Sequence, residues 1–292
     1  MFNQLGLVGC GLMGGSFALA LRRAGLVQRV VGYSKSPRTT ERARQLGIID
    51  TEAASALAAA SGSDLVLVAV PVASTEATLK AIRHALAPHT LVMDVGSTKR
   101  DVVDAARRAL QGQFGMLVPA HPIAGKEVSG IEHADADLYR GRQVILTPTE
   151  KTLSDQLQRA TALWTALGCK VLHMSPEQHD AAFAAVSHLP HLLAFAAVNA
   201  LCQQPEGQHY LGLAGSGFRD FSRIAASEPT MWRDILLANR EEVLLQSSAF
   251  RRQLEALEQR IAAGDAEALE ALIAQASQAR AQWTMASHSN PT

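Results

Sequence analysis

Leu5-Gly6-Leu7-Val8-Gly9-Cys10-Gly11-Leu12-Met13-Gly14-Gly15-Ser16, near the start of a 292-residue chain, decides the fold. A short apolar run, three glycines at G-x-G-x-x-G spacing and then Phe17-Ala18-Leu19-Ala20-Leu21-Arg22-Arg23 read as strand, tight turn and helix. Gly9 permits the turn, Gly11 lets backbone approach a pyrophosphate, and Gly14 lets the helix lie close on the strand. The first helical turn, at Leu12 and Met13, offers free N–H groups and the positive end of the peptide dipoles to phosphate. Cys10, inside the turn, reads as a small packing residue.

Outward from this motif, Val30-Val31-Gly32-Tyr33 is a second strand that ends at Ser34-Lys35-Ser36-Pro37-Arg38. About 20 residues past the third glycine, a site that prefers NAD presents a carboxylate to the ribose 2′-hydroxyl. Ser34 stands at that place, followed by Lys35 and Arg38. A hydroxyl and two cations suit a 2′-phosphate where a carboxylate would repel it. NADP is therefore the expected cofactor, with NAD possible; the other reading of Lys35 and Arg38 is an exposed basic loop. Further apolar runs at 65–70, 91–95, 116–120, 144–147 and 171–173 alternate with helical segments. That alternation indicates an α/β fold, a doubly wound parallel sheet with helices on both faces. Ligands of such sheets lie beyond the carboxyl ends of the strands. Val70-Pro71-Val72, Asp94-Val95-Gly96-Ser97-Thr98-Lys99 and the stretch 119–125 are expected to meet at one crevice.

The last of these stretches, Pro119-Ala120-His121-Pro122-Ile123-Ala124-Gly125, places a histidine at a strand end between two prolines. A dehydrogenase acting on an alcohol needs a base for the hydroxyl proton as hydride departs. Imidazole, with an ordinary pKa near 6.5, suits that at neutral pH. His121 is read as this base, with the hydroxyl of Ser97 nearby. Glu127 has two open readings, a hydrogen bond in the mouth of the site or a solvent-facing carboxylate.

The second half, 174–292, reads as helical and as a separate domain from 1–173. Ser175-Pro176-Glu177-Gln178 starts a helix with a capping box and proline in the first turn. It runs on to Cys202 with apolar residues on nearly every side, so it is expected to be buried. His188-Leu189-Pro190-His191 interrupts it, and Pro190 must kink it. The two histidines have the spacing of metal ligands but no completing cysteine or acidic cluster, and the other reading is core histidines with satisfied hydrogen bonds. No metal is expected. A flexible glycine-rich connection, 212–217, leads to Phe218-Arg219-Asp220-Phe221-Ser222-Arg223. Arg219 and Arg223 read either as a two-pronged carboxylate grip, with Asp220 bracing Arg223, or as an ordinary surface ion pair. A long helix is expected from about Thr230 to Ala263, with Leu254, Leu257 and Ile261 in a seam, then a last helix with Leu269, Leu272 and Ile273. So much apolar helix suggests burial against a second copy of the chain.

Lys and Arg together number 27, as do Asp and Glu, so no net field recruits nucleic acid or an anionic membrane. Three widely spaced cysteines form neither a disulfide framework nor a metal pattern, and a reducing cytoplasm is the expected setting. The first 24 residues carry no basic residue ahead of their apolar run and are broken by glycines, unlike a secretion signal. No uninterrupted apolar stretch approaches the roughly 20 residues that span a bilayer, and the tail from Ser287 is expected to be disordered.

Together these stretches resemble the prephenate/arogenate dehydrogenases of tyrosine biosynthesis. The resemblance rests on the glycine turn, Gly96-Ser97-Thr98-Lys99, His121-Pro122-Ile123-Ala124-Gly125, Ser187-His188-Leu189-Pro190-His191 and the run from Gly217 to Ala225. It implies a Rossmann-type domain followed by an all-helical dimerisation domain, and oxidative decarboxylation of a cyclohexadienol carrying two carboxylates. By the resemblance, His121 takes the ring hydroxyl proton and Ser97 orients His121 and the nicotinamide end. His191 polarises or positions the substrate, and Arg223 binds a substrate carboxylate. Trp232 matches a position that reaches the partner's active site, while Glu127 and Asp220 match positions that gate or brace the site. Neither a chorismate mutase segment nor a regulatory domain is recognisable, so feedback control is expected to act at the active site. The glycine turn also looks like that of β-hydroxyacid dehydrogenases, but those use a lysine in the helical half and none follows Lys170. A regulator that senses NADP without turnover is the reading from another class; it needs no base.

Overall fold

A computed structural model describes residues 1–126 and 128–284. The expected parallel sheet has six strands, β1 (Phe2–Val8), β2 (Val27–Tyr33), β3 (Thr51–Glu52), β4 (Leu65–Val68), β5 (Leu91–Asp94) and β6 (Leu117–Val118). Their order is β3-β2-β1-β4-β5-β6, and every pairing is parallel. The order reverses between β1 and β4, the place where such sheets open a crevice for ligands.

A strand buried on both faces needs apolar side chains at successive positions, and β4 shows how they divide. Leu65 and Leu67 join one core with Leu5, Leu7, Phe17 and Trp164, while Val66 and Val68 join another with Leu79, Ile82, Val103 and Ala106. The first core lies under α1 (Leu12–Arg23) and α6 (Ser154–Ala166); the second lies under α3 (Ala56–Ala60), α4 (Thr75–Ile82) and α5 (Arg100–Leu110). One further helix, α2 (Pro37–Gln45), follows β2.

The apolar runs at 144–147 and 171–173 do not extend this sheet. β7 (Ala120–Pro122), β8 (Gln143–Leu146) and β9 (Lys170–His173) form a second sheet, with β7 antiparallel and β9 parallel to β8. Pro119 lies between β6 and β7 and separates the two sheets, as befits a residue without a ladder donor.

The helical half departs from expectation at five places. The helix from Ser175 has its capping box, but Pro190 is accommodated by a π-helical stretch, Ala184–His188, between α7 (Pro176–Phe183) and α8 (Leu189–Cys202). The wider turn absorbs the missing N–H without a sharp break. In α8 only Ala194 is fully buried and most other residues are half-buried, so the helix expected in a core is only partly covered in the single chain. The stretch 176–202 is also long and apolar enough to cross a membrane by length and composition, contrary to the sequence expectation; its His179, Asp180 and His188 are nevertheless buried, with Asp180 against the backbone of Lys99 and His188 against Asn239. The glycine-rich connection shrinks to residues 213–215, between α9 (Gly207–Gly212) and α10 (Ser216–Ser222). Finally, the long helix is two, α11 (Pro229–Ala238) and α12 (Arg240–Ala263), parted at Asn239, before α13 (Ala266–Gln282). Glu127 and the tail from Ser287 lie outside the described residues.

Candidate active site

The glycine turn is built as its spacing requires. Gly9 has φ +103°, and a Cβ there would lie 2.2 Å from the carbonyl oxygen of Ala69 at the end of β4. A Cβ on Gly14 would meet the Gly9 carbonyl oxygen at 2.2 Å, so α1 touches the turn only because this residue is glycine. Gly11 is different: nothing lies within 4 Å of its missing Cβ. That open space sits at the N-terminus of α1, where no side chain caps the helix. The first N–H groups of α1 therefore lack intrahelical partners, and the space fits a pyrophosphate. Cys10 is fully buried and burial pushes its thiol up to about 11, which makes it a packing residue.

Ser34 ends the neighbouring strand, and its hydroxyl accepts the Cys10 N–H at 2.8 Å. The side chain thus sits against the turn, while Lys35 and Arg38 are exposed beside it. Val70 and Pro71 form the rim beyond β4, where a short 3₁₀ turn, Val72–Ser74, begins.

His121 lies in the middle of β7, opposite Ile145. Its Nδ1 is 2.7 Å from Nε2 of His179 in α7, and Phe183 packs on it at a ring separation of 4.8 Å. The residue as a whole is half-buried. Burial, chiefly, and the neighbouring His179, Lys99 and His188 hold its pKa well below the ordinary histidine value. Ser97 lies half-buried on the loop after β5, but the ring contact of His121 runs to His179. Neither His179 nor Asp180 stands out in the sequence. A signal was present, because both lie on one turn of the helix that Ser175 caps, but only the fold brings that turn against β7.

Asp180 is buried and lies 2.8 Å from His179 Nδ1. Its two oxygens also accept the backbone N–H groups of Lys99 (2.8 Å) and Arg100 (2.9 Å), at the start of α5. Lys99, fully buried, pairs with Asp94 and donates to the carbonyl of Ala120 at 2.9 Å. Asp94 in turn accepts the Ala120 N–H at 3.0 Å.

From His121 the site continues along the helical half. His188 is buried in the π-helical stretch and faces the amide of Asn239 at 3.1 Å; burial pushes its pKa down to about 4. The Asn239 amide also donates to the Asp180 carbonyl at 2.8 Å, so the residue that parts α11 from α12 ties both to the site. His191 Nδ1 donates to the carbonyl of Ser187 at 2.9 Å. A carbonyl only accepts, so neutral His191 keeps its lone pair on Nε2. Burial, chiefly, and the nearby Arg223 charge outweigh that bond and lower its pKa. Arg223 is therefore close to His191 and opens a short 3₁₀ turn, Arg223–Ala226, after α10. Both histidines thus have partners of the kind expected of core histidines.

Two further contacts surround this cluster. Asp220 pairs with its neighbour Arg219, Nε to Oδ1 at 3.0 Å, on the exposed face of α10. Trp232 is buried in its own chain and stacks on His191, ring centroids 3.5 Å apart, with His188 edge-on at 6.1 Å. The chain itself thus seats this indole beside its own histidines, because α11 folds back against the turn at Val72–Ser74.

Comparison with known proteins agrees with this architecture. Residues 17–173 match the nucleotide-binding domain of prephenate dehydrogenase and residues 175–275 its dimerization domain. The prephenate dehydrogenase of Bacillus subtilis is 35% identical over 274 residues, covering 92% of this chain and 73% of that protein. The cyclohexadienyl dehydrogenase of Zymomonas mobilis is 32% identical, covering 92% of each. A crystal structure of Aquifex aeolicus prephenate dehydrogenase, in complex with hydroxyphenyl propionate and NAD+, superposes with a TM-score of 0.89 at 39% identity, covering 97% of this chain and 98% of that one. Synechocystis arogenate dehydrogenase gives 0.82 at 29% identity, covering 96% and 100%. A six-stranded Rossmann-type sheet followed by a helical half, matched along its length by both domain patterns, makes this chain a member of the prephenate dehydrogenase family.

Proposed function

We propose that this protein catalyses the oxidative decarboxylation of a cyclohexadienol, prephenate or arogenate, with NADP as the preferred oxidant. The observation that carries the reading is the setting of His121, held by His179 and close enough to Lys99 and His188 to feel their charge, in a chain whose glycine turn follows β1. The relatives named above carry prephenate, cyclohexadienyl and arogenate dehydrogenase activities in their names, which supports the reaction class.

A nicotinamide coenzyme, when bound, would supply the hydride acceptor. The chain's own residues do the rest. Gly9, Gly11 and Gly14, with Leu12 and Met13, hold the pyrophosphate; Val70 and Pro71 line the rim; Ser34, Lys35 and Arg38 hold the 2′-phosphate. His121, kept neutral by its surroundings, accepts the ring hydroxyl proton as that carbon loses hydride. The ring carboxylate leaves as CO2, and its bonding electrons complete the aromatic ring. Arg223, with Arg219 at the rim, binds carboxylate, while His191 orients the substrate through Nε2 and Trp232 closes the site over it. Ser97 and His188 bound the site, with Asp220 near its mouth.

The boundary at 173/174 divides a cofactor domain from a helical domain that forms a homodimer. Val186, Leu213, Leu237, Leu244, Leu245 and Ile261 are each more than half exposed, and a second copy is the natural cover for them. A water-soluble dicarboxylate substrate and a nicotinamide coenzyme are in keeping with work in the cytoplasm. Steady-state rates on prephenate and arogenate, each with NADP and NAD, test the reading. Turnover of at least one substrate, faster with NADP, is expected; no turnover in any combination would refute it.

A further inference from the structure

We propose that His179 and Asp180 are positioning residues that fix the tautomer of His121, while the buried Lys99–Asp94 pair fixes its backbone. The inference rests on the reading of His121 as proton acceptor. It follows from the direction in which each hydrogen bond can run.

Asp180 starts the chain of reasoning. Its carboxylate takes the N–H groups of Lys99 and Arg100 at the positive end of α5, and both contacts stabilise the ionised form. Burial pushes its pKa up, but the His179 bond and these two N–H groups outweigh that and leave it lowered. An ionised carboxylate only accepts. His179 Nδ1, 2.8 Å away, must therefore carry hydrogen, and a neutral imidazole then keeps its lone pair on Nε2. His121 Nδ1, 2.7 Å from that lone pair, must donate. The hydrogen of neutral His121 is thus held on Nδ1, and Nε2 is left as the acceptor a base requires.

The same loop grips the main chain. Asp94 accepts the Ala120 N–H and Lys99 donates to the Ala120 carbonyl, so the residue before His121 is held on both sides of β7. Because the Lys99 N–H is itself bound to Asp180, ring and backbone of His121 are tied into one closed circuit of hydrogen bonds. A relay that carries the proton away through Asp180 fits less well. That carboxylate is 1% exposed and its accepting positions are already engaged, so a proton passed inward has no exit to water.

The test uses full-length enzyme with NADP bound and labelled with 15N-histidine, His121→Asn serving to assign the His121 signals. In the wild type, His121 is expected to show hydrogen on Nδ1 and a bare Nε2. His179→Leu removes the acceptor; the tautomer should become mixed and kcat should fall by roughly two to four powers of ten, with KM little changed. His179→Gln supplies an amide oxygen that can accept from Nδ1, so it should restore the tautomer and most of kcat. A His179→Leu protein that melts with the wild type and keeps its rate and its His121 signals would overturn the proposal. So would failure of His179→Gln to recover more activity than His179→Leu. Full activity of His121→Asn would instead overturn the reading of His121 as base, which keeps the two failures distinct.

Discussion

In the proposed reaction His121 can act as a base only while it is neutral, and its surroundings favour that form. Burial, then His179, Lys99 and His188, lower its pKa well below 6.5. The sign of the pH dependence follows. Above 6.5 the base is fully available; as pH falls through the lowered pKa it takes a proton and activity is lost. The acid limb of kcat/KM is therefore expected below pH 6.5, and a limb at or above 6.5 would contradict the assignment. Cofactor choice is decided at the same scale. Ser34 is bound to the Cys10 N–H, with Lys35 and Arg38 exposed alongside. Ser34→Asp, combined with neutral residues at 35 and 38, should turn the kcat/KM preference from NADP to NAD; unchanged preference would show that another part of the crevice selects. The glycine turn and His121 were legible in the sequence because a backbone constraint and a histidine between two prolines leave local marks, although His121 lies within β7 and not at a strand end. His179 and Asp180 were not, since an ordinary histidine and aspartate on a helix acquire meaning only when β7 lies against them.

Among the elements, the broken helices carry the most information. The break at Asn239 between α11 and α12 has a local mark, since Asn239 followed by Glu241 and Glu242 ahead of Val243-Leu244-Leu245 has the pattern of a helix start. What decides it is tertiary: the Asn239 amide satisfies the Asp180 carbonyl and faces His188 Nδ1, both buried. Asn239→Ala leaves those groups without their donor and should cost about 1–3 kcal/mol of stability, read by denaturant unfolding. A loss well under that range would mean that the contacts matter little. Pro190 shows the reverse case. The sequence demands a distortion there, and the structure supplies a π-helical stretch at 184–188, one turn ahead of the proline. The apolar runs at 144–147 and 171–173 were read correctly as strands but assigned to the wrong sheet. An apolar run marks burial without saying which neighbour provides it, and only Pro119 hinted at the change of sheet.

At the level of the whole molecule, two halves meet at one crevice, and the helical half keeps an uncovered apolar face. Leu244 and Leu245 on α12 are exposed by 65% and 60%. Sedimentation should find a dimer, and Leu244→Glu with Leu245→Glu should shift it towards monomer; a wild-type monomer would contradict the proposed assembly. The order of sheet domain and helical half was readable from the alternation of apolar runs followed by continuous helix. The way α11 returns Trp232 to His191 was not, because it depends on the closure of the two halves. The central claim is that His121 takes the substrate's proton, and single-site turnover measures it most directly. For His121→Asn with prephenate or arogenate and NADP, kcat should fall by roughly two to four powers of ten while NADP affinity stays near the wild-type value. Wild-type kcat in that variant would contradict the account.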